Sequence, residues 1–241
     1  MAVRLQQASR PTGFSFGRHE GRLSAGNTTM SKDSNDIIIR RARISDRNHL
    51  RAMQANSMRT LASHCYSRAE VEAFITYVGT MDDQLIDEGT YYVVEVAGRP
   101  VASGGWSRIR ANYVGGTPVD RTAAKIRSVF VHHDWARHGF GRLLMDRSER
   151  EAFMAGFDRV ELNALLSGVP FYRALGYHTV RPIALGLPDG ITFRGLTMDK
   201  PLGVDVLAAP ADKRKAPVLS APPAALAGCA EFASCAYSCA A

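Results

Sequence analysis

The run Val129-Phe130-Val131-His132-His133-Asp134-Trp135-Ala136-Arg137-His138-Gly139-Phe140-Gly141-Arg142-Leu143-Leu144 constrains this chain more than any other segment. Its apolar start reads as a buried strand. A turn with two glycines follows, and a helical pattern begins directly after it. Strand, glycine-bearing turn and helix start together describe an anion cradle. Glycine lets the backbone approach a ligand closely, and the first free N–H groups of the helix point into the same space as the positive end of its dipole. Arg137 and Arg142 flank the turn and add positive charge. Phosphate or pyrophosphate suits such a site, and a plain turn explains the glycines equally well.

Two nucleotide-binding patterns are excluded. No Gly-Lys-Ser/Thr follows the glycines, so the turn is not a P-loop. Gly139 and Gly141 lack a third glycine three residues on, so it is not a dinucleotide fingerprint.

Downstream, Val160-Glu161-Leu162-Asn163-Ala164 reads as another strand, and Val169-Pro170-Phe171-Tyr172-Arg173-Ala174-Leu175-Gly176-Tyr177 as a short helix. Proline is accepted in its first turn, and Gly176 is positioned as its C-cap. Upstream, Ile37 to Arg43 begins as a strand. Ser45 is expected to cap a helix carrying Leu50, Met53 and Met58. Ser67-Arg68-Ala69-Glu70 forms a capping box for a second helix that buries Val71, Phe74, Ile75 and Val78. Tyr91–Val96 and Val101–Ser107 are paired strands across an Ala97-Gly98-Arg99-Pro100 turn. A polar loop, Asn112 to Thr122, leads to the strand at Ile126–Val131. The helix after Arg142 runs to Gly156, and a final hairpin, Tyr177–Leu185 and Ile191–Met198, turns at Pro188-Asp189-Gly190. The order is β-α-α-β-β-β-α-β-α-β-β, an α/β chain with a mixed, α+β-type sheet.

Ala136-Arg137-His138-Gly139-Phe140-Gly141 resembles the acetyl-CoA loop of the GNAT N-acetyltransferase superfamily, Gln/Arg-x-x-Gly-x-Gly/Ala between the fourth strand and the third helix. Both glycines match, and Ala136 stands where Gln or Arg is usual. Phe171-Tyr172-Arg173-Ala174-Leu175-Gly176-Tyr177 is similar to that family's Phe-Tyr-x-x-x-Gly-Phe/Tyr segment, and the element order agrees throughout. The resemblance spans roughly residues 36–200, with its sharp motifs within 126–177.

That resemblance implies the GNAT acyl-CoA N-acyltransferase fold, with its fourth and fifth strands splayed apart around the pantetheine arm of acetyl-CoA. It implies that backbone groups of Val129, Phe130 and Val131 pair with the arm. It also implies that Arg137, His138, Gly139, Phe140, Gly141 and Arg142 hold the pyrophosphate, with Ser167 a further contact. Tyr172 is the implied catalytic acid that protonates the departing thiolate, with no metal. An ordinary phenol stays protonated at neutral pH, as that role requires. The implied acceptor is a primary amine, expected to be a small molecule. An amine on a protein, or a CoA-binding regulatory module without activity, are the alternatives. A general base is not assigned. Glu161, Glu95, His132 and His133 are the titratable candidates, each more simply read as a surface or ion-paired residue. Trp106 either lines the acceptor pocket or packs in the core. His64, Tyr66, Asp82 and Asp83 are candidates for a polar acceptor pocket.

The net charge of +7 is partly terminal, since residues 1–35 carry five Lys/Arg against two acids. The balance attracts a polyanionic cofactor and is too weak to argue for nucleic acid. The alternative, a basic protein contacting nucleic acid through its tails, rests on those ends alone. Residues 1–35 have the composition of a disordered extension, and Met30 is a candidate initiator. The domain is expected over 36–202, followed by an Ala/Pro-rich tail over 203–241. Cys65 is read as a core thiol; Cys229, Cys235 and Cys239 match no zinc spacing. No apolar run is long enough for a membrane helix. The expected partners are therefore acetyl-CoA and a small amine, with no nucleic acid, no membrane and a homodimer allowed for, in the cytoplasm.

Overall fold

The computed structural model describes residues 37–81, 83–108 and 123–208. The expectations for residues 1–35, Asp82, the 112–122 loop and the three tail cysteines lie outside these described residues.

Strands β1 (Ile37–Arg41), β2 (Tyr91–Val96), β3 (Arg99–Ser107), β4 (Ala123–Val131), β5 (Arg159–Leu165), β6 (His178–Gly186) and β7 (Thr192–Pro201) form one sheet in the order β1-β2-β3-β4-β5-β7-β6. All neighbours are antiparallel except β4 and β5. The helices α1 (Arg47–Leu61), α2 (Arg68–Tyr77) and α3 (Gln84–Asp87) connect β1 to β2. Helix α4 (Phe140–Met154) connects β4 to β5, α5 (Val169–Ala174) connects β5 to β6, and α6 (Asp205–Ala208) follows β7. The expected order is present, with the single-turn helices α3 and α6 added.

Period-two alternation divides the core. Tyr92, Val94 and Val96 pack with Phe140, Leu144 and Met145 of α4, while Tyr91 and Val93 pack with Leu50 and Met53 of α1. Helices α4 and α5 thus cover one face of the sheet, and α1 to α3 the other. A third cluster joins α1, α2 and the β6–β7 hairpin through Met58, Tyr66, Val71 and Phe193, with Phe130 of β4 against it.

Local signals held where they were self-contained. Glu70 N–H donates to Ser67 Oγ (3.2 Å) and Ser67 N–H to Glu70 Oε2 (2.8 Å), closing the capping box of α2. Ser45 does not cap α1. It lies inside a 3₁₀ turn, Ile44–Asp46, and Asp46 occupies the cap position. The Asp46 carboxylate is instead drawn to Arg43 N–H (2.7 Å) and the Arg40 guanidinium (2.7 Å). Cys65 is exposed in the α1–α2 connection and is not a core residue. Past residue 202 the chain stays packed. Val206 of α6 is 8% exposed in the α4-side core.

Candidate active site

The parallel pairing of β4 and β5 is short. It joins Ala123, Ala124 and Lys125 to Arg159, Val160 and Glu161, and then stops. Beyond it β4 stays with β3 as far as Val131↔Ala102, and β5 stays with β7 as far as Leu165↔Gly195. The two strands therefore part within the sheet. The burial of β4 records the opening: residues 123–127 are buried and 128–131 only partly so. At the closed end Lys125 Nζ lies 3.2 Å from Glu161 Oε1.

A bulge turns the open half of β4. Ser128 has φ +53°, and the β3 register slips between Ser103 and Gly105, which face Phe130 and Arg127. Gly104 is needed opposite it, because a Cβ there would lie 3.1 Å from the Val129 Cα. A buried polar network holds the bulge. Tyr91 Oη donates to Ser128 C=O (3.0 Å), and Gln54 Nε2 donates to Tyr91 Oη (2.7 Å) and Ser103 Oγ (3.0 Å). After the bulge, His132 N–H bonds to Val101 C=O (2.8 Å), so backbone alternation aims Phe130 and His132 at β3 and Val129 and Val131 at the opening. Of the three expected backbone contacts, Val129 and Val131 face the gap. Phe130 instead sends its backbone to β3 and its side chain to the α2 side. Ser57 Oγ reaches across from α1 to the Val131 carbonyl.

The glycine turn closes the mouth of this opening. Gly139 is the α4 N-cap with φ 88°, and Arg137 is also left-handed at φ 67°. Such bends let successive N–H groups converge. Among the described residues, the N–H groups of Arg137, His138, Gly139, Phe140, Gly141 and Arg142 have no backbone acceptor; Leu143 N–H, bonded to Gly139 C=O at 3.0 Å, is the first that does. Arg137 and Arg142 are exposed beside the turn, whereas the Phe140 ring is core and leaves only its backbone to the cradle. His138 Nδ1 is held by Ala136 C=O at 2.9 Å. Gly141 is closely packed: an added Cβ would meet Phe171 Cζ at 3.1 Å, so the ring would have to give way.

That contact brings α5 to the same place. Phe171 and Tyr172 sit with ring centroids 5.1 Å apart, and Tyr172 stands edge-on to Tyr177 at 5.8 Å. Burial pushes the Tyr172 phenol well above the ordinary tyrosine range. Its hydroxyl has no hydrogen-bond partner among the described residues. Ser167 lies in the 3₁₀ turn Leu166–Gly168 that leads into α5.

The set is rich in free donors, with glycine at the point of closest approach and an open strand edge behind it. A pyrophosphate with an amide-bearing arm fits that chemistry. A family profile described as "Acetyltransferase (GNAT) family" matches residues 55–177, from α1 through α5. The chain belongs to the GNAT acetyltransferase family. Its members use acetyl-CoA, and the protein is an acyltransferase. The fold is similar to that of a GCN5-related N-acetyltransferase structure from Rhodopseudomonas palustris, at 20% identity and a TM-score of 0.56, over 70% of this chain and 98% of that one. It is also similar to the PaiA N-acetyltransferase from Thermoplasma acidophilum in complex with coenzyme A, at 15% identity and a TM-score of 0.51, over 68% and 98%. No helix among the described residues is long and apolar enough to cross a membrane.

Other candidate residues fall elsewhere. Glu95 is bound by Arg40 at 2.6 Å near the β1 edge, and Glu161 by Lys125 at the closed end of the gap. His132 and His133 stack at 4.4 Å beyond β4. Burial, reinforced by His133, lowers the His132 pKa, and its Nδ1 accepts from Asp134 N–H (3.2 Å), which puts the proton of the neutral ring on Nε2. Trp106 is 3% exposed and edge-on to Phe157 in the α4-side core, opposite Ile126, so it does not line the gap. Tyr66 is buried against Phe193 at 4.3 Å, donates to Arg194 C=O (2.7 Å) and accepts from Leu166 N–H (2.8 Å). Asp83 is taken by Arg47 (3.1 Å) and Arg51 (3.3 Å), while His64 is exposed. Among the described residues, Tyr66, Asp83 and His64 do not converge on one polar pocket.

Proposed function

We propose that this protein is an N-acetyltransferase that moves the acetyl group of acetyl-CoA directly to the primary amine of a small acceptor. The observation that carries the reading is the joint presence of the parted β4–β5 edge, the free N–H groups of the glycine turn and Tyr172, all linked through Gly141 and Phe171. When bound, acetyl-CoA supplies a thioester carbonyl open to attack by an amine. In this reading the N–H groups from Arg137 to Arg142 hold the pyrophosphate, with Arg137 and Arg142 adding charge at the rim. Val129 and Val131 offer backbone groups to the arm, and one N–H there polarises the carbonyl as an oxyanion donor. Ser167 contacts the arm at the start of α5. Tyr172, kept neutral by burial, gives its proton to the leaving sulfur. Bringing both reactants into one opening contributes the remaining acceleration through proximity.

The test is a two-stage measurement on the full chain. Acetyl-CoA should raise the melting temperature saturably, as expected for a ligand of the folded state. A panel of primary amines scored by thiol release should then identify a substrate. No shift at millimolar acetyl-CoA would sink the reading; a shift without turnover on any amine would leave binding without transfer and overturn the catalytic half.

A further inference from the structure

On the α4 side of the sheet, away from the glycine turn, lies an open cavity of about 430 Å³ lined by Arg41, Trp106, Arg147, Arg150, Glu151 and Met154. That volume lies within the range of small-molecule sites. Arg150 is eleven residues along α4 from Gly139, about 16 Å at the helical rise.

The cavity's polar groups do not cancel. Arg147 is matched by Glu151, whose Oε1 lies 2.7 Å from its Nη2, and Tyr92 Oη also donates to that carboxylate. Glu151 is therefore committed. Arg41 and Arg150 have no carboxylate partner among the described residues. Arg150 Nε and Nη2 are buried without a hydrogen-bond acceptor, and so is the indole N–H of Trp106, a residue 3% exposed. Arg108 adds a further cation, its guanidinium 5.5 Å from the Trp106 ring centroid. Guanidinium and indole groups donate only. Buried donors are ordinarily satisfied, so unfilled donors beside two unmatched positive charges call for an acceptor carrying about two negative charges.

We propose that this cavity is a second ligand site, separate from the acyl-transfer opening, for a small organic dianion. Its phosphate or paired carboxylates would face Arg150 and Arg41, and its apolar part would lie on Trp106 and Met154. The assignment is independent of which amine the enzyme uses.

The chain's two tryptophans, Trp106 and Trp135, make the test direct. In full-length protein carrying Trp135→Phe, Trp106 is the sole indole reporter. Inorganic phosphate and citrate are titrated separately against it at constant ionic strength, with and without saturating CoA. The expected result is a saturable change in emission with at least one anion, retained in the presence of CoA. Arg150→Gln should raise that Kd about tenfold or more. Arg41→Gln, at an exposed position, should do the same if Arg150→Gln impairs folding. A response to phosphate alone assigns a phosphate ligand, and one to citrate alone a carboxylate. No saturable response to either anion, a response abolished by CoA, or an unchanged Kd in both arginine variants would overturn the site.

Discussion

A Cβ added to Gly141 would lie 3.1 Å from Cζ of Phe171. The first turn of α4 and Phe171 of α5 therefore pack closely, which links the glycine turn to the helix that carries Tyr172. Gly141→Ala must push the Phe171 ring aside, an overpacking cost of about 1–3 kcal/mol. It is expected to weaken acetyl-CoA binding about tenfold while the protein remains folded. Calorimetric titration with a far-UV spectrum measures both quantities, and unchanged affinity would detach Gly141 from the cradle.

Tyr172→Phe removes one hydroxyl and little volume. Turnover should fall by about 100-fold, as for loss of a general acid, with acetyl-CoA affinity within about twofold of the parent. The same burial that raises its pKa keeps the phenol protonated beyond pH 10, its ordinary value. Ionisation of Tyr172 should therefore produce no decline in rate between neutral pH and that value. A variant as fast as the parent removes the acid assignment.

Tyr91→Phe strips the β4 bulge of its anchor. The part-buried carbonyl of Ser128 loses its donor, and the fully buried Gln54 loses an acceptor. Stability should drop by about 1–3 kcal/mol, read as a lower denaturation midpoint in urea. Turnover should fall as well, because the bulge sets the direction of Val129. Loss of stability with full turnover would confine Tyr91 to a structural role.

His132 sets a pH dependence of stability. Its folded pKa lies below the unfolded value of 6.5. Between those two values the unfolded chain binds more protons than the folded one, so stability rises with pH across that window and is lost as pH falls through it. Melting temperatures at pH 7.5 and about pH 5.5 should differ more in the parent than in His132→Gln. Equal differences in the two proteins would assign the acid lability to other groups.

What could be read from the chain before folding was whatever depended on neighbours in sequence. The glycine turn, the Ser67–Glu70 capping box and the strand periods are all contained within a few residues. The misassignments share a different physics. Tyr66 looked like pocket lining, yet its hydroxyl is taken by Arg194 and Leu166, more than ninety positions away. Trp106 was equally compatible with cleft and core until strand register placed it opposite Ile126. Ser45 lost its capping role because Arg40, from the preceding strand, recruits Asp46. One signal was visible and unused. Gln54 and Ser57 fall on the apolar stripe of α1 with Leu50, Met53 and Met58. Polar residues at core positions need partners, and here the partners are the groups that shape β4.

The Lys125–Glu161 pair sits where β4 and β5 part, with both side chains nearly enclosed. In the proposed acyl-transfer reading, that junction would act as a depth stop: the tip of an arm threading the gap would be registered against the sheet where strand pairing resumes, and the reach of the reaction would be measured by how many residue pairs the two strands share.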